Sequence, residues 1–517
     1  MSNKKNKKNK LALVAGPVFG FVVGLISIAL GLDIVAGITL WITVWTASWW
    51  VFEAVPIPVA SLVPLSLLPL FGVLDSKQVA QAYGHKLVLL LLGGFLLSRA
   101  MEKSGAHRRI ALKMVSLCGG GGGKSLVLGF MVASAGLSMW ISNTATTMML
   151  LPVGMAVVKQ VARQSTLDGK HDKISEQRVI ESLGLVLMLG LAYSASIGGV
   201  GTLIGTAPNI VFAGFYKNLY PENPEISFAE WMAMAVPVVV LFIPIVWIYL
   251  CKFVSPVPLN RIELSKGNED VVKHELESLG KITRPEKMVA CIFAMTALMW
   301  IFRKPLVLGS VTMPGWSGLF PNPEMFHDST VAMIMGVLLM LLPVHYREGI
   351  VKNDQREYFL LDWKTVETRM PWGILLLFGG GFALASGFTE TGLTGWIGNQ
   401  LTGLSSLPLW AVVLFVCLGI TFLTELTSNT ATSTIILPVM GAAAVVAGFH
   451  PLMFMLPATL SASFAFMLPV ATPPNAIVFG SGWVTIPAMS RAGFALNLIG
   501  AVLVTTLALL LIQALFL

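Results

Sequence analysis

The chain has 517 residues, 55% hydrophobic and only 12% charged, with a net charge of +8. Soluble domains carry roughly 25% charged residues, so this composition excludes an ordinary soluble domain. The positive charges are dispersed between apolar runs instead of lining a groove with interleaved aromatics, which excludes a nucleic-acid binder.

Many apolar runs reach the roughly 18–20 residues that a helix needs to cross about 30 Å of hydrocarbon. The short alternating segments of a transmembrane β-barrel are missing. In chain order, residues 1–10 hold five lysines and form a basic tail. The apolar stretch behind it is long for a signal-peptide core, and no small-residue cleavage site follows, so a retained first helix is expected. Crossings are predicted at 11–31, 34–52, 54–73, 86–101, 184–214, 229–250, 286–301, 328–344, 371–387, 456–482 and 490–517, eleven in all. Two further apolar stretches, 126–158 and 408–447, are too long for one simple helix, and each carries a polar cluster near its middle. Both predict re-entrant hairpins. The polar stretch 251–287 reads as a cytoplasmic amphipathic linker between a first half, 11–250, and a second half, 288–517.

Lysine and arginine placement fixes an expected orientation. With a cytoplasmic N-terminus, the cytoplasmic segments hold 29 of the 34 Lys and Arg, leaving Lys77, Lys86, Lys217, Arg303 and Lys304 outside. The glycine run behind Cys118 and ahead of Lys124-Ser125 is not a phosphate loop, because Cys118 stands where that motif needs glycine. A flexible turn is expected there, which disfavours an ATP-driven pump. The four cysteines show no paired spacing and predict neither disulfides nor zinc. No nucleophile–base or metal constellation appears, so an enzyme is not expected.

The two halves repeat. Gly93-Gly94-Phe95 matches Gly380-Gly381-Phe382, and Ser142-Asn143-Thr144-Ala145-Thr146 matches Ser428-Asn429-Thr430-Ala431-Thr432. Gly205-Thr206-Ala207-Pro208-Asn209 resembles Ala471-Thr472-Pro473-Pro474-Asn475 in the same order. Five predicted crossings separate the hairpins, so the copies face opposite sides of the membrane. Inverted repeats with polar breaks at matching places are the pattern of secondary transporters, whose sites lie near the midplane at discontinuous helices.

Backbone amides cannot stay unpaired in hydrocarbon, so such breaks occur where protein or a water-filled cavity satisfies them. Hydroxyl, amide and backbone carbonyl oxygens are hard neutral ligands suited to a small cation such as sodium. Hydroxyls and amide NH₂ groups donate to carboxylates, and helix N-termini favour anions. The second breaks, 194–209 and 461–475, are rich in Gly, Ala, Thr and Pro. Proline there frees carbonyls by removing donors.

At these residues the chain resembles the divalent anion:sodium symporter family over nearly its whole length. The resemblance rests on 50–58 (WVFEAVPIP), Gly93-Gly94-Phe95, both Ser-Asn-Thr motifs, Thr424-Glu425-Leu426-Thr427 and 471–480 (ATPPNAIVFG). It implies an all-α polytopic homodimer in the inner membrane, with a scaffold subdomain and a transport subdomain that slides as an elevator. It implies sodium-coupled import of C4-dicarboxylates such as succinate, malate or fumarate, or of related di- and tricarboxylates. Carried over to this chain, a first sodium site uses Ser138, Ser142, Asn143 and the carbonyl of Gly205. A second uses Thr424, Thr427, Asn429 and the carbonyl of Ala471. Substrate carboxylates meet Asn143, Thr144, Asn429 and Thr430, with Thr206, Thr472 and Pro473 alongside. Ala207 departs from the proline, and Thr427 from the alanine, that stand at these positions in some relatives.

Glu425, an acid in apolar surroundings beside an expected sodium ligand, is a candidate to support the hairpin tip or bind a proton. Glu53 reads as a helix cap between two crossings, and Trp45, Trp49 and Trp50 as interface or packing aromatics. The rival readings are a sodium-independent carboxylate exchanger of the same fold, an inorganic-anion transporter such as one for sulfate, and a channel.

Overall fold

The computed structural model describes residues 2–118, 122–167, 173–257, 259, 266–308, 311–344, 358–400 and 407–516. The expected turn in the glycine run, at 119–121, and part of the linker, at 260–265, lie outside the described residues.

The chain is overwhelmingly helical. Among the described residues, eight helices are long and apolar enough to cross a membrane, and five shorter apolar helices accompany them. The first two long helices, Ser2–Ala29 and Ile34–Phe52, pack together along their length. Gly20 and Gly24 set how close they come: a Cβ on Gly24 would lie 2.8 Å from the Gly37 carbonyl oxygen. Small residues at such crossings let membrane helices approach without a hydrophobic driving force between them. The Trp41 and Trp49 indoles donate to the carbonyls of Pro17 and Leu13, at 3.0 and 3.2 Å. These tryptophans pack the helix pair, as expected of Trp49.

Some expected spans are remodelled. The stretch 54–73 forms two short helices, Ile57–Ala60 and Leu62–Leu70, in a proline-rich run. The stretch 328–344 is helical only over Asp328–Leu341; Pro343–Val344 then pairs antiparallel with Tyr358–Phe359. Proline 343 has no N–H to continue the helix. Within the linker, helix Lys266–Ser278 packs on helix Ala106–Cys118, and Arg108 pairs with Glu275 at 2.6 Å.

Each of the two over-long stretches is a helix, a four-residue link and a second helix: Gly123–Ser138 with Asn143–Leu167, and Leu409–Thr424 with Asn429–Val446. The breaks also interrupt the stretches 184–214 and 456–482. Helix Lys173–Gly199 stops before Ala207–Leu219 begins, and Leu452–Ala462 stops before Pro473–Phe479. The helices after the breaks cross between halves. Ala207–Leu219 packs on Asn429–Val446, and Pro473–Phe479 packs on Asn143–Leu167. This exchange brings both hairpin tips and both breaks to one place.

Candidate functional site

A cavity of about 590 Å³ lies where the four interruptions meet. Both hairpin tips supply wall residues, Ser142, Asn143 and Thr144 from the first and Thr427, Ser428, Asn429 and Thr430 from the second. The breaks supply Gly205, Thr206 and Ala207, and Ala471, Thr472 and Pro473. Every carried-over site residue except Ser138 and Thr424 therefore lines one cavity. Those two sit just behind the wall, fully buried. The Ser138 hydroxyl donates to Asn143 Oδ1 at 2.5 Å, and the Thr424 hydroxyl to Asn429 Oδ1 at 2.8 Å. Each orients its asparagine in the same way, so the repeat holds at the level of single hydrogen bonds.

The breaks are organised by a second asparagine pair. Asn209 Nδ2 donates to the carbonyls of Gly199, Val200 and Thr202 at 3.2, 3.3 and 2.7 Å. Asn475 Nδ2 donates to those of Ala465 and Leu468 at 3.0 and 3.1 Å. Both side chains are fully buried. Each amide thus gathers the carbonyls of an unwound segment that no helix satisfies. Asn209 and Asn475 close the repeated Pro-Asn motifs, whose spacing alone does not reveal this clamping role.

The Gly205 and Ala471 carbonyls accept no hydrogen bond among the described residues. The residues three positions on, Pro208 and Pro474, have no N–H to offer. Gly205 must be glycine on packing grounds as well: a Cβ there would lie 2.3 Å from the Gly199 carbonyl oxygen and 2.8 Å from that of Met139. The first tip and its break thus carry a close set of neutral oxygens.

The tips are fastened to the breaks differently in the two halves. The Thr202 hydroxyl donates to the Met139 carbonyl. At the matching place in the second tip stands Glu425, buried at 3% exposure. Its carboxylate accepts from the backbone amides of Phe466, Met467 and Leu468 at 2.6, 2.8 and 3.1 Å, and from Asn497 Nδ2 at 2.8 Å. Glu425 thereby supports the hairpin tip, one of the two roles the sequence suggested. Asn497 was missed; an asparagine within the apolar run 490–517 was the available signal.

Electrostatically, the wall is neutral apart from one residue. It presents hydroxyls, amides and apolar groups, and Glu53 is the one ionisable side chain among the lining residues. Helices Asn143–Leu167, Ala207–Leu219 and Asn429–Val446 all begin at the cavity. Their unpaired first amides and positive dipole ends favour an anion there. Trp50, expected only to pack, is buried against Ser61 through its indole N–H at 3.0 Å and also lines the cavity. The buried ion pairs Arg109–Glu286, at 3.0 Å, and Arg303–Asp328, at 2.5 Å, involve no wall residue and tie helix ends together.

The family described as "Sodium:sulfate symporter transmembrane region" matches residues 7–517. A sodium-dependent dicarboxylate transporter of Staphylococcus saprophyticus is 38% identical over 513 residues, covering 97% of this chain and 92% of that protein. Its counterpart in Staphylococcus aureus is 38% identical over 512 residues with the same coverage. Among solved structures, the YdaH transporter of Alcanivorax borkumensis aligns with a TM-score of 0.54 at 15% identity, covering 87% of this chain and 89% of that one. The Neisseria gonorrhoeae efflux pump MtrF aligns with a TM-score of 0.51 at 14% identity, covering 86% and 83%. At such identities the last two speak for the fold alone. With the motifs, the multi-pass architecture and the family match in agreement, the chain belongs to the sodium:sulfate symporter family, the divalent anion:sodium symporter group its motifs resemble, and is a membrane transporter, not an enzyme.

Proposed function

We propose that the protein imports C4-dicarboxylates such as succinate, malate or fumarate, coupled to sodium. The observation that carries this reading is the cavity itself. Two helix breaks from opposite halves meet there, and the wall offers neutral oxygens and helix N-termini but no lysine, arginine or histidine. A dianion in such a place needs cations as co-substrates to neutralise it. The names of the 38% identical relatives, sodium-dependent dicarboxylate transporters, point the same way. The lack of a fixed cation in the wall weighs against a sodium-independent exchanger.

In this reading Ser138, Ser142, Asn143 and the Gly205 carbonyl take one sodium. Thr424, Thr427, Asn429 and the Ala471 carbonyl take the other. Asn143, Thr144, Asn429 and Thr430 then hold the carboxylates, with Thr206, Thr472 and Pro473 beside them. Sodium binds first and shapes the anion site. The protein works as a homodimer in the bacterial plasma membrane with its N-terminus cytoplasmic, eleven crossings and two re-entrant hairpins, and moves its site by an elevator motion.

Moving a dianion inward against 100 mV costs about 4.6 kcal/mol, which two sodium ions offset and a third exceeds. Succinate uptake into proteoliposomes, with and without an inward sodium gradient, tests the reading. Gradient-driven accumulation is expected, and uptake indifferent to sodium would overturn it. Asn143→Ala and Asn429→Ala should each abolish uptake in the same assay.

A further inference from the structure

Glu53 breaks two local rules at once. It closes helix Ile34–Phe52 in the left-handed region, at φ 48° and ψ 42°. Among the described residues it is the one non-glycine with positive φ. Glycine is the usual occupant of such a position because a Cβ is strained there. The C-terminal end of a helix also carries partial negative charge, which disfavours a carboxylate. A helix stop alone would be served better by glycine or asparagine. Positions that defy local preference without a packing reason are where function is to be sought.

No packing reason is apparent. The Glu53 side chain is exposed, and no hydrogen bond or ion pair to it forms among the described residues. Its place is held from below, because buried Trp50 is anchored to Ser61 in the next helix pair. Glu53 shares the cavity wall with the two asparagine tips, and all other lining residues are uncharged.

We infer that Glu53 is a specificity-determining residue that filters anions by charge, admitting dianions and penalising a third negative charge. This rests on the dicarboxylate reading of the cavity. A dianion engaged by both tips, with two sodium ions, leaves no net charge to oppose Glu53. The extra carboxylate of a tricarboxylate has no cationic side chain to meet in this wall, and shares the cavity with a like charge. A unit charge about 10 Å away at an effective dielectric of roughly 40 changes affinity about fourfold.

The test is binding to the purified full chain in nanodiscs, measured as displacement of labelled succinate in saturating sodium. The competitors are propane-1,2,3-tricarboxylate and its central monoamide, which share a shape and differ by one charge. Wild type should prefer the monoamide about fourfold or more beyond what either terminal pair contributes. In Glu53→Gln that preference should fall to within about twofold. Glu53→Asp, which keeps the charge, should retain the wild-type ratio. Glu53→Gly, which relieves the backbone, should fold at least as well as wild type and show the ratio of the Gln variant. An unchanged ratio in Glu53→Gln and Glu53→Gly overturns the inference while leaving the dicarboxylate reading intact. Succinate binding without sodium dependence in wild type overturns that reading instead.

Discussion

In the first half of the chain, the hairpin tip is held to its break through backbone. Thr202 reaches the Met139 carbonyl, and Gly198 lies so near Ala135 that a Cβ would come 2.2 Å from its carbonyl oxygen. The loop then turns on itself through bonds from Val200, Gly201 and Gly205 amides to carbonyls three residues back. In the second half, Leu468 takes the place of Thr202 and Glu425 that of Met139. The amides of Phe466, Met467 and Leu468 converge on the one carboxylate. The asparagines that clamp each break, Asn209 and Asn475, and those that face the cavity, Asn143 and Asn429, are alike in both halves. The groups that meet the ligands stay symmetric, while the means of satisfying the unwound backbone is free to differ. What the low-dielectric interior demands is that each freed amide find an acceptor; it does not dictate which.

This contrast makes the halves unequally fragile. The largest effect is expected for Glu425→Ala, which strands one buried and two partly buried backbone amides and the Asn497 side chain, at a cost of roughly 3–5 kcal/mol. Thermal unfolding should fall steeply and succinate uptake should vanish. Uptake and stability close to wild type would show that the second break is held by something else. Gly198→Ala comes next, because the new methyl group meets backbone and the helices must part, at roughly 1–3 kcal/mol. Gly395→Ala, where nothing lies within 4 Å of a Cβ, is the matched control and should be nearly silent. Thr202→Val removes a single hydrogen bond and should cost about 1 kcal/mol, with uptake reduced but present. If it proved as damaging as Glu425→Ala, the asymmetry between the halves would be lost.

The smallest effect lies away from both breaks. Burial alone would raise the Glu225 carboxyl, but His327, at 2.8 Å, and Lys86, at 2.6 Å, hold it down to about 2. A carboxyl depressed in the folded state contributes stability at neutral pH, which is lost as pH falls from its ordinary 4.5 toward about 2. Melting temperature followed over that range should drop more for wild type than for Glu225→Gln. Uptake at neutral pH should scarcely distinguish them, because no breaks and no cavity residues are involved.

Much of this was legible in the sequence. Long uncharged runs can only be membrane helices, because hydrocarbon tolerates few charges and no unpaired backbone. The duplicated Ser-Asn-Thr and Pro-Asn motifs marked the places where helices break, since proline and glycine are what a break requires. The positions of Asn143 and Asn429 at helix starts followed from those motifs. The sequence could not say that Ala207–Leu219 would pack on the second hairpin and Pro473–Phe479 on the first, which is what merges two sites into one cavity. Nor could it place Glu53 on that cavity or aim Asn497 at Glu425. Periodicity and motif spacing report on neighbours along the chain, whereas these contacts join residues tens to hundreds of positions apart. They are settled only when the helices pack, by which small residues allow close approach and which buried amides still need a partner.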